Sequence, residues 1–166
     1  KCLAVGGDCD VGGLYLRELA SPHVYGALFN CSDARVNRIF EAARNTFRQN
    51  AVDVFMDCPS RERAGWLGDS FLAARVENDL TGSHVIEKNF LENFLLPKTF
   101  AHLPDGMFAM CYPSDHTNGM FIPNWALWLV LQLEEYVIRS NDVRMMRGFH
   151  PKIRRMLSYF QKFRNE

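Results

Sequence analysis

Five stretches of this chain repeat apolar residues every third or fourth position, and residues that start or stop a helix bound them. The first opens after Ser32 or Asp33, either of which can cap an N-terminus, and carries Val36, Ile39, Phe40, Ala43 and Phe47 to about Asn50. The second is expected over about Gly65 to Leu80, with Phe71, Leu72, Val76 and Leu80 turned inward, until Thr81-Gly82-Ser83 breaks it. The third, His84 to Leu96, spaces Ile86, Phe90 and Phe94 four apart and has Pro97 just beyond its end. The fourth enters through Pro123 with a wide apolar face of Trp125, Trp128, Leu129 and Tyr136. The last spans about Pro151 to Arg164, with Ile153, Met156, Leu157 and Phe160 facing in. A helix with one apolar face buries it against another element. The pattern therefore predicts a mainly α chain built of helical hairpins.

Residues 1–31 have a different texture. Glycines, Pro22 and short β-friendly pieces predict strands and turns, a β lead-in that is too short for a sheet core of its own. It reads as the tail of a preceding β-domain, or as a ribbon added to the helical part at 32–166. The run GGDCDVGG at 6–13 lacks the P-loop lysine and the EF-hand spacing, so a plain turn is expected. Residues 97–123 form a long irregular connection, a kind of loop that often serves function. Asp115 and His116 on it are expected in a surface turn, with lining a cleft as the alternative.

Composition removes several classes of function. The 19 basic and 19 acidic side chains cancel, which leaves no electrostatic footprint for nucleic acid or an anionic membrane. No apolar run approaches the length of a spanning helix, and no signal-peptide start is present. The five cysteines include no C-x-x-C pair and the histidines no H-E-x-x-H, so no metal is expected. No nucleotide, flavin or haem motif appears, so no cofactor is expected either. Aromatic residues at 13% supply large flat surfaces for a core or for a flat ligand such as a sugar ring.

The segment at 56–69, MDCPSRERAGWLGD, packs three acids, two arginines, a tryptophan and two glycines into fourteen positions. No helical stripe or strand alternation calls for that mixture. Pro59 forces an extended or turn geometry after Asp57. Gly65 permits a close approach or a positive φ, and Asp69 suits the first turn of the second helix. These are the parts of a sugar site: an acid to deliver a proton, acceptors for hydroxyls and an aromatic platform. If Asp57 and Asp69 converge on Glu62, their charge favours its protonated form, while Arg61 and Arg63 act the other way. A solvated Arg-Glu-Arg run and a core tryptophan are the plainer alternative.

DCPSRERAGWLGD resembles the signature of the bacterial α-L-rhamnosidase family, glycoside hydrolase family 78, whose pattern is roughly D-C-P-x-R-E-R-x-G-W-x-G-D. The similarity extends over most of residues 15–145, through FNCSDARVNRIFEAARNTFRQNAVDVF, LPDGMFAMCYPSD and IPNWALWLVLQLEEYVIRSND, with 57–69 its specific part. The resemblance implies an (α/α)6 barrel, an inverting mechanism and a carbohydrate partner. It implies Glu62 as general acid, Asp57 and Asp69 as carboxylates that hold sugar hydroxyls, Trp66 as an aromatic wall, and Arg61 as a residue that orients the acids. Trp125 is a further candidate for sugar contact, with core packing as its alternative; core packing is expected for Trp128.

An inverting glycosidase also needs a general base opposite the acid. In this family the base is a glutamate of a late barrel helix, and nothing in 67–166 matches that segment. Twelve helices with their connections need at least about 200 residues. The expectation is therefore a fragment, the end of a β-domain followed by the first part of the barrel, inactive alone. It should expose helix faces through which it could form homo-oligomers. The alternative is a helical carbohydrate-binding or interaction module without turnover.

Overall fold

The computed structural model describes residues 6–7, 10, 12–22, 24, 26–114 and 119–164. The described residues form five α-helices: α1 (Ala34–Asn50), α2 (Leu67–Thr81), α3 (Val85–Leu95), α4 (Pro123–Ser140) and α5 (Val143–Phe160). A short 3-10 turn, Gln161–Phe163, follows. The mainly α expectation holds. The strands expected in the lead-in do not form: its described residues are turns and irregular backbone. They lie along the helices instead, with the Ser21 N–H donating to the Arg48 carbonyl and the Ala27 N–H to the Leu80 carbonyl, both at 2.9 Å. Asp8, Cys9 and Val11 of GGDCDVGG, together with Asp115 and His116, lie outside the described residues.

Local chemistry sets most helix ends. The Asp33 carboxylate accepts the Arg35 N–H at 2.8 Å and caps α1. Gly82, at φ 64°, closes α2 in the left-handed conformation that only glycine adopts without cost. Pro123 opens α4, where its missing N–H is no loss, and Asn141, at φ 57°, ends it. The short links at 82–84 and 141–142 turn each helix back on the next.

The last helix begins eight residues before the expected Pro151. Its cap is Asp142, whose carboxylate accepts the Met145 N–H at 3.3 Å, and Pro151 sits inside it. A proline reads as a start signal, yet tertiary packing of Met145 and Phe149 holds the preceding turns in place.

The core gathers Phe90, Leu91 and Phe94 of α3, Leu129, Leu133 and Tyr136 of α4, and Phe149 and Met156 of α5. The long connection contributes Met107, Phe108 and Ala109, all buried. The expected stripes are only partly buried. On α1 Phe47 is buried while Val36 and Ile39 are exposed; on α2 Leu72 and Val76 are exposed, and Leu67, Gly68, Ser70, Ala74 and Glu77 face inward. Trp128 is exposed beside Phe71, their rings 6.1 Å apart, and is not a core residue.

Buried polar groups fix how the helices meet. Glu77 of α2 is almost fully buried, and its carboxylate accepts the Ile86 and Glu87 N–H groups, each at 2.9 Å, capping α3 from a distance. Glu87 receives two hydrogen bonds from Arg139 of α4, at 2.9 and 2.8 Å. Gln132 of α4 bridges onward: its Nε2 donates to Glu87 and its Oε1 accepts from the Ser70 hydroxyl at 2.9 Å. Ser70 follows Asp69, so this network ties the start of α2 to α4. Among the described residues no helix is long and apolar enough to cross a membrane.

Candidate active site

The acid-rich segment folds as a closed loop ahead of α2. Asp57 and Ala64 close its base: the Asp57 N–H donates to the Ala64 carbonyl at 3.2 Å, and the Asp57 carboxylate accepts the Ala64 N–H at 3.1 Å. Between them Arg63 takes a left-handed backbone, φ 51°, an unfavourable geometry of about 1 kcal/mol that reverses the chain after Glu62.

The loop is anchored to the long connection. Residues 65–67 run antiparallel to 110–113: the Tyr112 N–H donates to the Gly65 carbonyl and the Leu67 N–H to the Met110 carbonyl, both at 2.9 Å, with a bridge between Trp66 and Cys111. Gly65 keeps φ negative and is there for close approach. A Cβ on it would stand 2.5 Å from the Tyr112 carbonyl oxygen.

Asp57, Arg61, Glu62, Trp66, Asp69 and Trp125, all six candidates, line one open cleft of about 570 Å³, together with Cys58 and Ser60. That volume lies within the range of about 300–1,000 Å³ usual for small-molecule sites. Asp69 sits in the first turn of α2, where the helix N-terminus favours a negative charge. Trp125, in the first turn of α4, and Trp66 form a T-shaped pair, centroids 5.5 Å apart and planes at 89°. Arg61 pairs with Glu62. The Arg61 side chain is 83% exposed and that of Glu62 23%, so the carboxylate is the more deeply set of the two.

The two aspartates are shifted in opposite directions. Burial pushes the Asp57 carboxyl up, but hydrogen bonds from the Cys58 thiol and from the N–H groups of Ala64, Asp57 and Cys58 outweigh it and hold Asp57 below its ordinary value. Asp69 reaches solvent on one side, yet the protein around it withdraws enough water to push its carboxyl up. Its own N–H opposes that, and the negative charges of Asp57 and Glu62 add to the rise. Asp69 therefore senses the charges of the other two carboxylates across the cleft. Among the described residues no group of three His, Cys, Asp or Glu is arranged to hold a metal ion.

Cys58, which lines the cleft, and Gly68, which packs against its Trp125, have no role that the sequence alone assigns. Cys58 donates its thiol to Asp57, and its sulfur accepts the Glu62 N–H at 3.3 Å, so it joins acid to aspartate. Gly68 packs directly under the Trp125 indole. Both lie inside the quoted motif, which was the available signal. Gln132, 62 positions from its partner Ser70, left none.

A family model described as the bacterial alpha-L-rhamnosidase 6 hairpin glycosidase domain matches residues 25–166. An alpha-L-rhamnosidase of Formosa agariphila is 23% identical over 145 residues, covering 83% of this chain and 15% of that protein. The chain thus spans about a seventh of the length of this relative. No solved structure matches it.

Proposed function

Because the chain belongs to the bacterial α-L-rhamnosidase six-hairpin glycosidase family, we propose that it carries the acid side of an inverting glycosidase site for terminal rhamnose or a related sugar. The observation that supports this reading is the shared cleft of Glu62, Asp57, Asp69, Trp66 and Trp125.

In this reading Glu62 donates its proton to the glycosidic oxygen as the bond to the sugar breaks. Asp57, kept ionised, accepts sugar hydroxyls, and Asp69 can either accept from a hydroxyl or, protonated, donate to one. The tryptophans give the sugar an apolar wall. Arg61, paired with Glu62, orients the acid. The mechanism requires a general base on the opposite side of the ring, with room for one water. The three carboxylates that line the cleft among the described residues have other roles in this reading, which takes the base to be missing from this chain. The apolar side chains exposed along α2 and α4, Leu72, Val76 and Leu131 among them, fit the helix-on-helix packing of a closed barrel.

The test is an assay of the full product of the reading frame on rhamnosides with poor and good leaving groups. Glu62→Gln should lose about 10²–10⁴-fold on the poor leaving group and far less on an activated aryl rhamnoside, which needs little protonation. Full activity of Glu62→Gln on the poor leaving group would remove Glu62 from the role of acid. Rhamnose binding by a full product that never turns over a rhamnoside would favour a binding module instead.

A further inference from the structure

We propose that Gly68 is a positioning residue that seats the Trp125 indole and so fixes the aromatic wall of the cleft; the inference rests on reading that cleft as a sugar site. Gly68 lies buried in the first turn of α2 with an ordinary helical backbone. Glycine there costs helix stability relative to alanine, and no positive φ demands it. What it supplies is the absence of a side chain. A Cβ at position 68 would stand 2.7 Å from Cδ2 and Nε1 of Trp125 and closer still to Cε2, inside any permitted contact. These are atoms of a rigid double ring, with no flexible end to fold away.

The indole is held on a second side by Trp66, whose ring meets it at 5.5 Å. A side chain at 68 would therefore have to push Trp125 out of its seat or separate α2 from α4. The seat also adjoins the hydroxyl-holding position, because Gly68 and Asp69 are consecutive. One helical turn thus sets both the wall that meets the apolar face of a sugar and the carboxylate that meets its hydroxyls. Displacing the wall by an ångström relative to the carboxylate would misalign a bound ring. Gly68 acts through Trp125 and touches no substrate itself.

Two indoles in this contact should give an exciton couplet in far-ultraviolet circular dichroism, and loss of the couplet in Trp125→Ala would assign it to this pair. Gly68→Ala is expected to abolish or invert the couplet, to lower Tm, and to weaken L-rhamnose binding, followed by tryptophan fluorescence, by about tenfold or more. In the Trp125→Ala background the same substitution should no longer lower Tm, since alanine is the better helix former once the ring is gone. That double variant keeps the test decisive should Gly68→Ala alone fail to fold. A Gly68→Ala chain that keeps its couplet and its affinity, or one equally destabilised with and without the Trp125 ring, would overturn the seat. A wild-type chain with its couplet present and no response to rhamnose would instead overturn the sugar reading of the cleft.

Discussion

Asp57 and Ala64 hold each other twice, the Asp57 N–H on the Ala64 carbonyl and the Ala64 N–H on the Asp57 carboxylate, at 3.2 and 3.1 Å. The pair closes the loop of six intervening residues, 58–63, that presents Arg61 and Glu62. Asp57 therefore has a structural duty besides any contact with substrate.

Asp57→Ala should cost about 1–3 kcal/mol, because the buried Ala64 N–H loses its acceptor. Asp57→Asn keeps an acceptor oxygen and should cost less than about 1 kcal/mol, so urea melts separate the two. The acid dependence follows from the lowered carboxyl. Its stabilising contribution is present above the unfolded aspartate value near 3.8 and is lost as pH falls through the lower folded value. Asp57→Asn should flatten the stability curve below pH 4, and a wild-type curve already flat there would contradict the assignment.

Asp69 should behave with the opposite sign. Its folded carboxyl titrates above 3.8, so its favourable contribution is present below that value and is lost as pH rises through the folded value. At neutral pH the ionised group costs stability. Asp69→Asn should therefore raise Tm near pH 7, by an amount worth less than about 1 kcal/mol because solvent screens the exposed side, and the gain should vanish below pH 4. The same substitution should impair any rhamnosidase activity of the full product, a trade between stability and function common at active sites. Equal Tm changes at pH 3 and pH 7 would show that the charge of Asp69 is not the cause.

The boundary between what the sequence reveals and what it conceals follows from how local each interaction is. Asp33 and Pro123 start their helices through contacts within a few residues, so both starts were readable. The start of α5 was not, because Pro151 is a strong local signal that packing at Met145 and Phe149 overrides. Periodicity identified α2 and placed Leu80 inward, as it is, but misplaced Leu72 and Val76. Leu72 and Val76 look like a core face, while the side actually buried includes Ser70 and Glu77, polar groups whose partners Gln132 and Ile86 belong to other helices. The candidate site was unusually readable because five of its six residues fall within thirteen positions. Trp125 came from far along the chain, and the cause of its position, the missing side chain at Gly68, is visible only in three dimensions.

The ion pair of Arg139 with Glu87 carries the strongest stability prediction away from the cleft. Glu87 is fully buried on α3, and Arg139, reaching from α4 with 15% of its side chain exposed, gives it two hydrogen bonds. Arg139 also pairs with Glu135 at 3.0 Å, and Glu135 in turn receives Arg75 of α2 at 2.9 Å, so three helices meet on this chain of charges. Arg139→Met would leave Glu87 without its counter-charge in a dry setting, at about 3–5 kcal/mol near neutral pH. The loss should shrink in acid, where Glu87 takes up a proton and buries no charge. Arg139→Met combined with Glu87→Leu removes both charges, fills the space with apolar atoms and should recover most of the loss. Denaturant melts of the two single variants and the double variant give the coupling directly. Strict additivity of the two substitutions would mean that the pair does not hold α3 to α4.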